Sequence, residues 1–198
     1  MFGTRRRTSF GAGAFHEAVA RDPQANALTD CLAAAFASLP EIVRRAHHGT
    51  VQLSGPAQVE RGRGLGGLIA ALLRLPRSNP TAELVVVAWH FPDQIVWSRT
   101  FDGRKLESTF VKEGALLVEH MGAVALHMLP VVEGGRLVYR LEQCRLGPIT
   151  LPRALAPALV AWEGEKDGKY TFEVDVRLPL FGRLIRYSGL LDVDVLAE

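Results

Sequence analysis

The sequence predicts a mainly β protein, α+β by content, in which short N-terminal helices precede a curved antiparallel meander that forms a barrel or half-barrel. Hydrophobic residues recur at every second position from Ala82 onward, which is the period of a half-buried strand. The segments with this period are joined by short links of turn-forming residues, which cannot accommodate parallel crossovers. Three- and four-residue spacing, typical of helices, is confined to the chain before Pro76.

The beginning of the chain is predicted to lie outside the folded domain. Residues 1–27 are expected to form a flexible extension, and residues 28–198 a single helix-capped, antiparallel β-barrel-like domain. A secretory signal needs about 7–15 apolar residues after its positive charges. The segment after Arg7 is interrupted by Gly11 and Glu17, so we expect a cytoplasmic protein. The apolar runs are shorter than the ~20 residues that cross a bilayer, so no transmembrane segment is expected.

Two short helices are the first elements predicted within the domain. Helical spacing begins at Leu28, with Thr29 as the candidate capping residue. Pro40 then occupies a favourable first-turn position for a second helix over residues 41–47. His47 ends that helix, where the helix dipole favours a cation.

A first strand and nine further strands follow the helices. A glycine-rich turn at residues 62–67 and a short apolar helix at residues 68–75 separate the first strand from the second. Residues 151–157 are expected to form a rim loop at the barrel mouth. A twisted open sheet of this length would leave unpaired edges, so closure into a barrel is the economical arrangement. The predicted strands cover residues 50–61, 84–91, 94–101, 105–112, 115–121, 124–132, 136–145, 158–165, 170–178 and 183–193.

The alternation of side chains assigns an inward face to each strand. Trp97, Arg99 and Phe101 share the bulkier side of their strand, so we expect this side to face the interior. The same rule places Ser108, Phe110 and Tyr187 on the inward side of later strands. The alternation around Glu119 does not decide which way that residue points. The candidate ligand-binding residues are therefore Trp97, Arg99, Phe101, Ser108, Phe110, Glu119 and Tyr187.

Arg99 is the exception on an otherwise apolar face. A guanidinium group inside a barrel is costly unless it is paired. One interpretation is an internal ion pair between Arg99 and Glu119, with Ser108 as a third partner. The other is a polar spot around Arg99 that receives the carboxylate or phosphate head of an amphipathic ligand. The sequence leaves both interpretations open.

Composition and glycine spacing argue against nucleic-acid and dinucleotide binding. The chain carries 23 basic and 21 acidic residues, and a net charge of +2 is too small to indicate a nucleic-acid groove. Gly62, Gly64 and Gly67 match the G-x-G-x-x-G fingerprint. However, the acidic residue at the expected distance, Glu83, opens its strand, and antiparallel hairpins follow. We therefore interpret the glycines as a flexible turn.

No residue is predicted to be catalytic, and no metal or other cofactor is expected. The six histidines have no metal-ligand spacing, although a haem held by one histidine inside the barrel stays open. Glu163, Glu173 and Asp175 fall on the polar side of their strands and are predicted to be solvated. Cys31 and Cys144 lie in no C-x-x-C motif and are expected to be free thiols.

Short motifs spread over residues 39–191 carry a family resemblance. They are Leu39-Pro40 leading to His47, VERGRG at 59–64 leading to Leu75-Pro76, WSRTF at 97–101, LVE at 117–119, and residues 151–157 and 178–187. Together they resemble an uncharacterised bacterial family, a domain of unknown function. The resemblance implies no known activity. It implies that the domain stands alone or follows a saccharopine-dehydrogenase-like NAD(P)-binding domain.

The predicted function is a non-enzymatic binding module for a small hydrophobic or amphipathic ligand in the barrel cavity. The order of strand, helical insertion and meander also resembles fatty-acid-binding proteins and other calycin-like barrels, at the level of the fold alone. One alternative is an enzyme or accessory domain that acts with an NAD(P)-dependent reductase. A second alternative is a structural or interaction domain whose barrel is filled by its own side chains. The volume of the cavity separates this second alternative from the binding module.

Overall fold

The fold is described by a computed structural model over residues 25–197, so the predicted extension lies outside the described residues as far as position 24. The helices are α1 (Ala27–Leu32), a 3₁₀ helix (Ala33–Ser38), α2 (Glu41–Arg45) and α3 (Gly64–Leu72). The strands are β1 (Thr50–Arg61), β2 (Asn79–His90), β3 (Ile95–Phe101), β4 (Arg104–Glu113), β5 (Leu116–Met121), β6 (Val124–Glu133), β7 (Arg136–Leu146), β8 (Ile149–Thr150), β9 (Ala158–Lys166), β10 (Lys169–Leu178) and β11 (Gly182–Ala197).

Ten of these strands form a closed antiparallel barrel, which confirms the predicted meander. Each strand from β1 to β7 pairs with the next, β9 pairs with β10, and β10 pairs with β11. The ladder between β1 and β11 joins the two ends of the sheet. The remaining seam is narrow, because β7 and β9 share the two pairs Leu137–Glu163 and Val138–Trp162. The two-residue strand β8 pairs antiparallel with the last two residues of β7 and was not predicted.

The two ends of the barrel are built differently. Helices α1 and α2 lead into the first residue of β1, and α1 packs against β4, β5 and β6. We call this the helical end. Helix α3 lies between the last residue of β1 and the first residue of β2, at the opposite end. The α3 end also carries the predicted rim loop at residues 151–157 and the turn at residues 179–181.

The capping of α1 positions the residues that follow α2. Asn26, rather than the predicted Thr29, is the capping residue, and its side chain accepts hydrogen bonds from the N–H groups of Leu28 and Thr29. Thr29 completes the capping box by accepting from the Asn26 N–H at 2.8 Å. The amide nitrogen of Asn26 donates to the carbonyl oxygen of His47 at 2.9 Å. This hydrogen bond holds the start of α1 against the turn that follows α2.

Helix α3 begins inside the predicted glycine-rich turn, so that prediction is wrong for residues 64–67. The reason is the packing of its glycines against the β10–β11 turn. A Cβ atom at Gly62 would lie 1.6 Å from the carbonyl oxygen of Arg183, and one at Gly66 would lie 2.5 Å from the same oxygen. The fingerprint-like glycines therefore let α3 approach the barrel wall closely.

Substituting these glycines should separate close packing from backbone strain. We expect Gly62→Ala to destabilise the protein by about 3 kcal/mol or more, because the added methyl group collides with backbone. Gly64 has φ of +58° and open space around its Cβ position. Gly64→Ala should therefore lower the free energy of unfolding by only about 1–2 kcal/mol, because alanine is strained in the left-handed conformation. Urea unfolding measures both values, and equal losses would contradict this account.

Candidate functional site

The interior of the barrel contains a cavity of about 750 Å³. It extends from Leu28 and His47 at the helical end to Leu73 and Phe181 at the α3 end. Leucine, isoleucine, valine and aromatic side chains make up most of its wall. A cavity of this size lies within the range of about 300–1,000 Å³ that is usual for small-molecule sites.

The predicted inward residues lie together in this interior. Five of them line the cavity: Trp97, Arg99, Phe110, Glu119 and Tyr187. The other two are buried and support the first five. The ring of Phe101 packs edge-on against Tyr187, with 5.3 Å between centroids, and the Ser108 hydroxyl bonds to Arg99. The face assignment is thus confirmed for these residues of β3, β4 and β11, and the ambiguous strand β5 turns Glu119 inward.

Arg99 forms the centre of the first polar group in the cavity wall. Its guanidinium donates to Ser108 Oγ at 2.8 Å and to Glu119 Oε1 at 3.2 Å. It also lies 5.2 Å from the ring centroid of Trp97. Burial alone would lower the pKa of Arg99, but the nearby Tyr187 and Glu119 outweigh burial and raise it. The internal ion pair predicted as one interpretation is therefore present.

A second polar group consists of His47, Glu163 and Tyr139. Glu163 Oε2 lies 2.5 Å from His47 Nε2, and Glu163 Oε1 accepts a hydrogen bond from the Tyr139 hydroxyl at 2.9 Å. His47 is 1% and Glu163 7% exposed, and both line the cavity. The prediction that Glu163 is solvated is therefore wrong. His47 was predicted to end the second helix, but it lies two residues after α2 and is buried in the cavity wall.

The register of the β9–β10 hairpin explains why Glu163 faces inward. Residues directly opposite each other in an antiparallel pair share one face, and Glu163 is opposite the inward-facing Phe172. The apolar sequence ALVAW before Glu163 hides this alternation, because both faces of that strand are apolar. The signal that could have found it is the tight turn at Asp167-Gly168. Counting residues outward from this turn pairs Lys166 with Lys169 and therefore Glu163 with Phe172.

Asp175 was also predicted to be solvated, and the structure shows it mostly buried by arginines. It accepts hydrogen bonds from Arg177 and Arg183. Glu173, on the same face, accepts a hydrogen bond from Arg186 at 2.9 Å. This face is opposite to the one that lines the cavity, so these ion pairs lie on the outside of the barrel.

The ionisation of the second group follows from its surroundings. Burial alone would raise the pKa of Glu163, but His47 and the hydrogen bonds from His47, Tyr139 and Tyr170 outweigh it and lower the pKa. Burial, together with the nearby Glu163, raises the pKa of Tyr139 and Tyr170 well above the usual value. Glu163 is thus an ionised acceptor and the phenols stay neutral at physiological pH. In the contact between the two side chains, His47 Nε2 is therefore the donor and Glu163 Oε2 the acceptor.

Trp97 connects the two polar groups. The His47 ring stacks on it, with 5.6 Å between centroids and 25° between planes, and Arg99 approaches the same ring. His47 Nδ1 has no hydrogen-bond partner among the residues described. The cavity therefore combines an apolar wall with a buried cation, two carboxylates and a ring nitrogen, all close to one tryptophan.

The described residues also bear on metal binding and membrane spanning. Within residues 25–197, no group of three or more His, Cys, Asp or Glu side chains is arranged to hold a metal ion. In the same part of the chain, no helix has the length and apolar character needed to cross a membrane.

The chain belongs to a family described as a domain of unknown function, DUF4166, whose model matches residues 39–191. This match confirms the resemblance to a domain of unknown function over the same part of the chain. The association with an NAD(P)-binding domain stays a prediction. Comparison with curated proteins and with solved structures found no match.

The Glu163 cluster should contribute measurably to stability. We expect Glu163→Gln to lower the free energy of unfolding by about 1–3 kcal/mol at neutral pH, because the amide replaces a charged acceptor in a buried site. The folded-state pKa of Glu163 lies below its ordinary value of 4.5. The contribution of ionised Glu163 to the free energy of unfolding is therefore fully present above pH 4.5 and is lost as the pH falls through the folded-state pKa. Glu165→Gln, an exposed neighbour on the same strand, is the control for urea unfolding at each pH. Equal losses in the two variants would contradict this role.

His90 should make the protein sensitive to mild acid. Its Nδ1 lies 2.9 Å from the Gly49 carbonyl oxygen, and burial, followed by the nearby His47, lowers the pKa of His90 to about 3. Between about pH 3 and 6.5 the unfolded chain then binds more protons than the folded chain. The free energy of unfolding therefore decreases as the pH is lowered through that window, by at most about 1.4 kcal/mol per pH unit. His90→Asn keeps a donor for Gly49 but removes the titration, so its stability should depend less on pH. His120→Asn, at an exposed histidine, should keep the wild-type slope in thermal melts.

Proposed function

We propose that the barrel holds a small apolar or amphipathic molecule in its cavity. The observation that carries this proposal is the cavity of about 750 Å³ with a largely apolar wall. A barrel filled by its own side chains, as in the structural-domain alternative, has no such cavity. Burial of apolar ligand surface supplies about 25 cal/mol per Å², so a mostly hydrocarbon molecule gains most from entering.

The two polar groups would orient the ligand. A guanidinium has five N–H donors, and Ser108 and Glu119 engage two of those on Arg99. Because Glu119 already balances the charge of Arg99, a second anion in the cavity would be buried without its own counter-ion. A hydroxyl or carbonyl group is therefore the preferred head of the ligand, rather than the carboxylate or phosphate of the sequence-based hypothesis.

An enzyme or accessory domain that works beside an NAD(P)-dependent reductase is the second candidate function. The specific observation in its favour is the His47–Glu163–Tyr139 group. A binding wall does not require a carboxylate hydrogen-bonded to both a histidine ring and a phenol, whereas general acid–base catalysis uses positioned side chains of these three types. Copurification with a reductase, together with turnover that Glu163→Gln abolishes while ligand binding persists, would favour this candidate.

Filling the cavity should abolish binding of a lipophilic probe. Ala161 lines the cavity, while its neighbour Val160 is exposed on the outer face of β9. We expect Ala161→Phe to weaken binding of the uncharged lipophilic probe Nile red at least tenfold, because the ring occupies cavity volume. Val160→Phe adds a similar group outside the barrel and should bind the probe as the wild type does. Fluorescence titration measures both affinities, and circular dichroism checks that both variants fold.

Displacement of the probe tests the nature of the head group. A long-chain alcohol should displace it at a lower concentration than the carboxylic acid of the same chain length. Native mass spectrometry of freshly purified protein weighs any molecule that is retained. Equal probe binding by Ala161→Phe and Val160→Phe would contradict the proposal, because the binding site would then lie outside the cavity.

A further inference from the structure

Exposed apolar side chains are concentrated at the α3 end of the barrel. Among residues 25–197, thirteen large hydrophobic side chains are exposed, and nine of them lie at this end. Four belong to α3 and the residue after it: Leu65, Leu68, Leu72 and Leu73. The other five lie in residues 146–155 and 180–181. We call these nine side chains the apolar rim. Contiguous apolar surface of this kind marks an interaction site, whereas single scattered residues do not.

The rim is one surface rather than several separate residues. The backbone of α3 at Gly66 packs against the carbonyl groups of Phe181 and Arg183, which joins the helix to the β10–β11 turn. Leu146 and Leu155 line the same cavity as Phe181. The side chains with the greatest exposure are Leu72, at 83%, and Leu180, at 90%. Leu73, Leu146, Leu155 and Phe181 are both exposed and part of the cavity wall, so the cavity reaches the protein surface at the rim, and we call this opening the cavity mouth.

Basic residues accompany the apolar rim. The connecting segments at this end (residues 62–78, 102–103, 122–123, 147–157 and 179–181) contain four arginines and one acidic residue, Asp102. All four arginines are exposed: Arg63, Arg74, Arg77 and Arg153. Asp102 accepts hydrogen bonds from the Asn79 side chain and the Glu83 N–H. The end of the barrel thus presents positive charge beside exposed leucines.

We propose that the α3 end docks on the surface of a lipid bilayer that contains anionic lipid. Leucines on a helix and on several separate turns can insert together into the boundary between headgroups and acyl chains, and the arginines beside them then contact lipid phosphates. The chain as a whole is nearly neutral, with a net charge of +2, so this local excess of arginine gives the docking its orientation. Docking in this way places the cavity mouth against the membrane.

The docking does not require an occupied cavity, and only its consequence for ligand exchange rests on the proposed function. An apolar molecule could pass between the bilayer and the cavity without crossing water. Docking that persists in a protein whose cavity is filled would leave the membrane inference intact even if the ligand proposal failed.

Vesicle flotation tests the inference with the full chain. We expect binding to vesicles of phosphatidylcholine and phosphatidylglycerol to be at least tenfold tighter than binding to phosphatidylcholine alone. Leu68→Gln/Leu72→Gln should weaken that binding at least tenfold, while Phe91→Gln/Leu196→Gln, which changes exposed apolar residues at the helical end, should leave it unchanged. Arg63→Gln/Arg77→Gln should reduce the preference for the anionic vesicles.

Three outcomes would overturn the inference. One is the absence of binding to either kind of vesicle. The second is wild-type binding by Leu68→Gln/Leu72→Gln, which would place the membrane contact elsewhere, on Arg5–Arg7 for example. The third is a wild-type protein that self-associates through the rim in solution, becomes monomeric in Leu68→Gln/Leu72→Gln, and binds no vesicles. Ala161→Phe should float with the vesicles as the wild type does, which distinguishes failure of docking from failure of ligand binding.

Discussion

Hydrogen bonds between β1 and β11 close a ten-strand antiparallel sheet on itself, and the shape of the interior follows from that closure. A sheet of this length that stayed open would expose unpaired backbone groups along two edges. Closure satisfies them, but the diameter of a barrel increases with the number of its strands. Eight strands leave an interior that side chains can just fill, and ten leave more. The cavity is thus a geometric consequence of satisfying the backbone.

Polar groups that are buried in this interior need specific partners. Arg99, Glu119 and Glu163 are buried at the cavity wall, where an unpaired charge would be very costly. Each is therefore held by specific partners, and the aromatic ring of Trp97 lies against both polar groups. Such pairs contribute little net stability over apolar packing, but breaking one leaves a buried charge unsatisfied. Under the proposed function, these groups would orient the bound molecule.

The two ends of the barrel differ in structure because different segments lie over them. The N-terminal helices pack over the helical end, where the Asn26–His47 hydrogen bond ties them to the start of β1. At the other end, the leucines of α3 stay exposed. One end is thus covered by the N-terminal helices, while the other exposes apolar side chains around part of the cavity wall.

Much of the fold was determined by the sequence alone. Strand β1 and the inward face of β3 follow from local rules, because side chains alternate at every second residue and tight turns permit only antiparallel neighbours. Other features were decided only by the tertiary structure. Glu163 and His47 are 116 positions apart, and no local pattern indicates that they meet. The role of Gly62 likewise depends on the carbonyl group of Arg183, which lies far away in the sequence. Periodicity specifies which face a residue occupies, but closure and register across the barrel decide which residue it faces.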